Sequence, residues 1–427
     1  MNDFMKRLRA NTDEEIYFTA QKRKKPTKVA DVFWEKFPGL LARNTALKHL
    51  SCSFDSDASY SRMGITAITD ALRENTSLIA LDLHACLIGV DEANAIVKTM
   101  KGNSCITDLD LGGNKITREA LSIIKGALQE NSSLRTLKLH CTAIVDEGVY
   151  FNTTAATVAI EISEALKVNS SLTTLNLTNN VIGNEGAIAI AEALKINSTL
   201  SSLDLSYTSI GKEGALSIAG SLKLNSSVSS LNLSFNEAIQ GALPIIEALK
   251  VNVTLRQLYL RKCMVGDREA STIAILLKEK STLTSLNLSS NIITKEGALA
   301  IAVALIANSS LISLDLSNNV IGNEGLLAIA KMLNENSSLS NLSLQGIEMC
   351  HEAELAFIDA LTFHPSLVKF QVWKRCLTGI NNFENPDINN QCIFTHLLQL
   401  LICQEGAQVL ANEFRMKFSV VVDRWVL

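Results

Sequence analysis

Two hydrophobic rhythms take turns along this chain. In LTTLNL, from Leu172, apolar and polar residues alternate, the pattern of an extended segment buried on one face. The stretch that follows, IGNEGAIAIAEALK from Ile182, shifts to a period near 3.6. Ile188, Ala191 and Leu194 share one helical face, and Glu192 and Lys195 lie off it. Between the two, Gly183 permits a turn, Asn184 is the predicted N-cap, and Glu185 suits the positive end of the helix. An Asn-Ser-Thr or Asn-Ser-Ser triplet then returns the chain to the next strand.

The cycle has a nearly fixed length. LTTLNLTNNVIGNEGAIAIAEALKINST from Leu172 aligns with LISLDLSNNVIGNEGLLAIAKMLNENSS from Leu311. The first position of L-x-x-L-x-L falls at Leu78, Ile106, Leu134, Leu172, Leu200, Val228, Leu255, Leu283, Leu311, Leu339 and Leu367, mostly 28 residues apart, and an irregular copy begins at Leu47. These are twelve predicted strands. Self-similarity at such a period marks a solenoid, whose units bury their apolar faces only against each other. Eight residues after that first position stands Asn114, Asn180, Asn236, Asn291 or Asn319, or a small Cys86, Cys263, Thr142 or Thr208. A polar side chain turned inward there can pair with backbone groups that a tight bend leaves open, so these positions read as structural.

The motif L-x-x-L-x-L-x-x-N/C-x-I/L followed by a full helix resembles the leucine-rich repeat of the ribonuclease-inhibitor type, found also in NOD-like receptors and in the GTPase-activating protein for Ran. The resemblance covers roughly Ala46 to Thr378. It implies an α/β fold: a right-handed solenoid curved into a horseshoe, with a parallel sheet on the concave face, helices on the convex face, and about 11–12 repeats of 28 residues. On this reading residues 1–45 are a basic segment and a helical cap, 46–378 the repeats, and 379–427 a C-terminal helical cap. Val32, Phe33, Trp34 and Phe37 are the expected cap hydrophobes. The run Gln21–Lys28 (QKRKKPTK) reads as a solvated linker, with a nuclear-import signal or phosphate-binding patch as the alternative. One repeat carries an insertion, VYFNTTAATV between Gly148 and Ala159, which either projects from a rim or lengthens the helix.

Composition fits thin stacked layers. Apolar residues make up 47% of the chain but aromatics only 5%, so the core is built of Leu, Ile, Ala and Val. With 39 Lys and Arg against 43 Asp and Glu, the net charge of −4 provides no global field for nucleic acid or an anionic membrane. No apolar run is long enough to span a bilayer, and MNDFMKRLRANTDEE has no secretory apolar stretch. Nine scattered cysteines and many N-x-S/T triplets, among them Asn131, Asn169, Asn176, Asn225, Asn232, Asn287 and Asn308, suit a reducing compartment free of glycosylation. The expected location is cytoplasmic.

Motifs for chemistry are missing: no phosphate loop, no H-E-x-x-H and no G-x-S-x-G occurs. Cys392, His396 and Cys403 share a helical face but lack the zinc-ligand spacing. His84 and His140 occupy equivalent positions two repeats apart, near Asp82 and Asp110, and could bind a metal or do acid–base work. Mixed polar residues are ordinary on such a sheet, so the expectation is no catalysis, no cofactor and no metal. The sheet's solvent face carries Ser202, Asp204, Asn232, Ser285, Asn287, Ser313 and Asp315, a polar run broken by Tyr207, Phe235, Tyr259, Arg261 and Lys262. Aromatics beside arginine have the composition of an interface hot spot, and Tyr150 and Phe151 of the insertion are further candidates.

The expected function is protein–protein recognition by a non-enzymatic, monomeric scaffold that engages neither nucleic acid nor the membrane interior. A compact repeat array rich in Ile, Asn, Ser and Lys is similar to the eukaryotic-like leucine-rich-repeat effectors that intracellular bacteria such as Legionella deliver into host cells. That resemblance implies virulence-related action in the host cytosol. Two alternatives stay open: a regulator of a small GTPase resembling the Ran GTPase-activating protein, whose long acidic tail is missing here, and a sensor fragment resembling the repeat region of NOD-like receptors.

Overall fold

The computed structural model describes residues 2–20, 28–54, 58–144, 155–239, 242–280, 282–363, 366–367 and 369–372. They fall into two compact units, Met1–Asn232 and Leu233–Leu427. In the first unit the strands Glu15–Ala20, His49–Phe54, Ala80–Asp82, Asp108–Asp110, Thr136–Lys138, Thr174–Asn176, Ser202–Asp204 and Ser230–Asn232 lie side by side, each parallel to the next. In the second, Gln257–Tyr259, Ser285–Asn287, Ser313–Asp315, Asn341–Leu344 and Lys369–Val372 do the same. Register is uniform: Leu175 faces Leu203, and Leu286 faces Leu314. Within each unit these pairings set leucine over leucine and build an apolar stack, except at the outermost strands, where Ile16 faces Leu50 and Phe370 faces Leu342.

All twelve predicted strands are present, and Glu15–Ala20 is an additional one. It pairs with His49–Phe54 over six residues and brings Phe18 against Phe4, Phe33, Trp34 and Phe54. Phe37 joins the same cluster. Rings rather than leucines pack at this edge of the described sheet. Residues 21–27, Tyr150 and Phe151, and the whole of 373–427, with Cys392, His396 and Cys403, lie outside the described residues. So does the side chain of Val32.

Two details of the helical half differ from the sequence reading. The buried stripe of Gly183–Leu194 is Ala187, Ile190, Ala191 and Leu194, the i, i+3, i+4, i+7 set, while Ile188 is half-buried. Asn184 does not cap its own helix, whose N-cap position is Ile182. Its Oδ1 accepts from the N–H groups of Gly211 (2.9 Å) and Gly214 (3.0 Å), at the start of the next helix, Lys212–Leu222. In the second unit Asp267 caps helix Lys295–Ala307 in the same way, accepting from Thr294 N at 2.8 Å and Gly297 N at 3.0 Å. Asn323 likewise accepts from Cys350 N at 3.0 Å. These helix starts are capped from the preceding repeat.

Asparagine holds the repeats together at two levels. At the eighth position Asn180 Nδ2 donates to the carbonyls of Leu139 and Leu177 (both 2.8 Å), and its Oδ1 accepts from Thr142 N at 2.9 Å. The Asn of the return triplet, read from sequence only as a polar turn residue, is buried as deeply. Asn197 Nδ2 donates to Leu166 O and Asn169 O of the preceding repeat, and Oδ1 accepts from Thr199 N and Leu200 N. Asn75, Asn103, Asn225 and Asn336 repeat the arrangement. Asn169, Asn225 and Asn308 each begin an N-x-S/T triplet and are 6–7% exposed. A glycan cannot sit on these amides in the folded chain.

The six described cysteines are free. Cys86 and Cys263 stand at the asparagine position and send their thiols to backbone carbonyls, Cys86 to Cys52 O and Cys263 to Leu233 O, both at 3.1 Å. Burial pushes both thiols from an ordinary 9.0 up to about 12, and pushes Cys52 well above the same value. Unfolded thiols ionise at the lower pH, so the stability tied to these groups is complete below pH 9.0 and is lost as the pH rises towards 12. Urea midpoints are expected to fall over that interval, and to fall less steeply in a Cys86→Ala/Cys263→Ala variant. Parallel declines for variant and wild type would remove the thiols as a cause.

Candidate functional site

The turn that leaves each strand imposes a backbone condition invisible in the leucine pattern. The residue seven after the first repeat position has positive φ in repeat after repeat: Ala85 (54°), Gly113 (67°), Cys141 (53°), Asn179 (57°) and Tyr207 (56°) in the first unit. In the second unit it is Phe235 (60°), Lys262 (54°), Ser290 (56°), Asn318 (53°) and Gly346 (72°). Glycine and asparagine take this left-handed region readily, whereas other side chains are strained there by roughly 1–2 kcal/mol. Bulky residues held in it against that preference mark candidate functional positions.

Phe235 and Lys262 occupy consecutive copies of this turn in the second unit. Phe235 is half-buried, and the Arg261 guanidinium carbon lies 5.0 Å from its ring centroid. Lys262 Nζ lies 6.0 Å from the same ring and 3.1 Å from Glu237 Oε1. The Phe235 N–H donates to Arg261 O at 2.7 Å, fixing one turn against the next. Tyr259, at the end of Gln257–Tyr259, is half-buried and donates its hydroxyl to Gln257 Oε1 at 3.3 Å. The result is an aromatic ring flanked by two exposed cationic side chains. Of the residues picked out in the sequence, the second unit thus brings together Phe235, Arg261 and Lys262. Tyr207 belongs to the first unit, where it is 49% exposed.

Elsewhere on the sheet of each unit the open face is polar and already ordered. Asn232 Nδ2 donates to Asp204 Oδ2 (3.0 Å), and Asn287 Nδ2 to Asp315 Oδ2 (3.1 Å). Ser206, Ser289 and Ser317 are buried, and their hydroxyls bond along or across the strands. A second cluster lies in the first unit, where His84, Asp110 and His140 place ligand-type atoms within 4.8 Å of one another. Asp82 is not part of it: its carboxylate accepts from Ser51 Oγ and His84 N, both at 2.8 Å. Sequence reasoning missed the left-handed turn and the role of Glu237. The first was foreshadowed by Asn179, Gly113 and Gly346 at one repeat position; the second had no sequence signal.

The sequence profile of the Leucine Rich repeat family matches residues 102–122, 168–191, 197–219, 279–302 and 307–330. The chain carries leucine-rich repeats, and each unit is a leucine-rich-repeat solenoid. It is similar to the human (Homo sapiens) NACHT, LRR and PYD domains-containing protein 14, with 25% identity over 174 residues, which is 35% of this chain and 16% of that protein. The chain thus spans a minor part of that relative. Among solved structures it is similar to leiomodin-1 actin-binding site 2, at 29% identity over 35% of this chain and 87% of that one, with a TM-score of 0.31. The TLR13–ssRNA13 complex matches at 18% identity over 79% of this chain and 51% of that one, with a TM-score of 0.42. The complex of Rad7 and Elc1 from yeast matches at 15% identity, 80% and 86% coverage, and a TM-score of 0.44. No described helix is long and apolar enough to cross a membrane.

Proposed function

We propose that this chain is a non-catalytic recognition scaffold that binds a protein partner on the open face of its sheet, with Phe235, Arg261, Lys262 and Tyr259 at the centre of the contact. One observation carries the reading: Phe235 is held at φ 60° where asparagine or glycine fits with less strain, and an exposed guanidinium covers its ring. Strain kept at a half-buried aromatic residue on the open face supports a role outside the fold. Tyr207, in the same backbone state in the first unit, is a second contact candidate. The resemblance to bacterial effectors extends the reading to a partner found in a eukaryotic cytosol.

Phe235→Asn separates the two roles of this position. The variant is expected to be more stable than wild type by about 1 kcal/mol, because asparagine accepts the left-handed turn, and to bind its partner at least about tenfold more weakly. Partners captured by wild type from eukaryotic and from bacterial lysates, then measured as purified proteins against Phe235→Asn and Arg261→Ala, provide the comparison. Unchanged affinity in both variants would sink the proposed contact. A partner found only in the bacterial lysate would remove the host-directed part, and accelerated GTP hydrolysis by a captured GTPase would favour the regulator instead.

A further inference from the structure

We propose that His84, Asp110 and His140 form a binding site for a divalent first-row transition metal ion on the open face of the first unit. His84 and His140 sit at the same repeat position with one repeat between them, and Asp110 belongs to that middle repeat. Strands are spaced about 4.8 Å apart, so the backbones at these two positions are roughly 9.6 Å apart. Their imidazole rings are nonetheless only 5.2 Å apart between centroids and nearly parallel, at 13°. Both rings lean inward over the middle repeat.

The middle repeat is cleared for them. Where other copies of this turn read Thr178-Asn179, Ser289-Ser290 or Ser317-Asn318, this one reads Gly112-Gly113. A Cβ at position 112 would overlap the His140 ring, and one at 113 would lie 2.5 Å from His84 Cε1. The backbone alone asks for glycine at 113, where φ is 67°; Gly112 has no such reason to be glycine and is explained by the ring above it.

The polar atoms are also left in a state that suits a ligand set. His140 Nδ1 is buried without a hydrogen-bond partner and lies 3.7 Å from Asp110 Oδ1. That is too long for a hydrogen bond and close to the roughly 3.3 Å separating two ligands of a tetrahedral zinc ion with bonds of about 2.0–2.1 Å. Gly112 N–H donates to Asp110 Oδ1 at 2.9 Å and holds the carboxylate in place. Two imidazoles and one carboxylate suit zinc and its first-row neighbours, with water completing the coordination. Lys138 opposes the ion, its Nζ lying 3.3 Å from Asp110 Oδ2 with the side chain 47% exposed, so it must swing aside when metal enters.

Calorimetric titration of the metal-stripped full chain with zinc chloride is expected to show one equivalent bound. The affinity should fall at least about tenfold in His84→Gln and in His140→Gln, stay unchanged in His351→Gln, and rise a few-fold in Lys138→Met. Circular dichroism in chelator should be the same for all five proteins. Cobalt substitution should give weak visible bands without a thiolate charge-transfer band, which separates this site from capture by cysteines. The proposal is overturned if wild type takes up no zinc, if both histidine variants bind as wild type does, if Lys138→Met fails to tighten binding, or if the cobalt spectrum is dominated by thiolate.

Discussion

Replacing Asn197 by alanine is expected to destabilise the first unit by roughly 3–5 kcal/mol, far more than a change in a surface return should cost. The side chain is 5% exposed and makes four backbone contacts: it donates to Leu166 O (2.8 Å) and Asn169 O (3.0 Å) and accepts from Thr199 N (3.0 Å) and Leu200 N (2.8 Å). Alanine strands all four groups, leaving only the Thr199 hydroxyl, which donates to Asn197 Oδ1 at 3.4 Å, beside them. Asn197→Asp is a sharper test. It keeps the two acceptor contacts but sets a carboxylate oxygen against two carbonyl oxygens, so it should be at least as damaging as alanine. Urea unfolding followed by circular dichroism measures the loss, and hydrogen exchange should locate it at the Thr199 and Leu200 amides. A cost below about 1 kcal/mol for both variants would mean that water replaces the amide and that the buried ladder is not a main support.

Gly297→Val should cost about 3 kcal/mol, even though glycine is nearly the poorest helix former and valine ranks above it. A Cβ at position 297 would lie 2.5 Å from Asp267 Oδ1, 2.8 Å from Ile293 Cγ2 and 2.9 Å from Ala270 Cβ. Helix Lys295–Ala307 therefore packs on helix Asp267–Lys280 at a separation that only glycine allows. The same substitution pushes away the Asp267 carboxylate that caps the helix through Thr294 N and Gly297 N. Propensity and packing thus predict opposite signs. Thermal melting of Gly297→Ala beside Gly297→Val decides between them: stabilisation by alanine would mean the helices can move apart at little cost.

The strand half of each repeat was readable because its rule is local. Alternation at Leu172, Leu175 and Leu177 specifies a buried face, and all three residues are buried. The helical half was readable as an element but less well in its facing. Ile188 and Ile190 both fit a loose apolar stripe, and only contact with neighbouring helices selects Ile190. Asn184 was misplaced for the same reason. A side chain that caps the helix after it follows no rule written for a single helix; the relevant spacing is the 27 residues to Gly211. The strand Glu15–Ala20 lies outside the repeat period and was therefore missed, although EIYFTA alternates as a strand should. Of the proposed contact face, aromatic and basic identity was visible in sequence, whereas the strained backbone beneath Phe235 and Lys262 showed only indirectly, through Asn179, Gly113 and Gly346 at the same repeat position.

The caps handed from one repeat to the next give the array a direction. Asn184 serves the helix that follows it, Asp267 and Asn323 do likewise, and the amide of Asn197 reaches back to Leu166 and Asn169. Cutting such an array from its C-terminal side would leave the last of these acceptor oxygens without its N–H partners but the remaining helix starts of this kind still capped. Cutting from the N-terminal side would uncover a helix start and a buried amide in the first repeat left standing. The two ends of an otherwise periodic molecule are thus chemically unequal. A cap for the N-terminal end has to be supplied as a new structure, such as the aromatic cluster around Phe4, Phe18, Phe33 and Trp34, and cannot be made by repeating the unit once more.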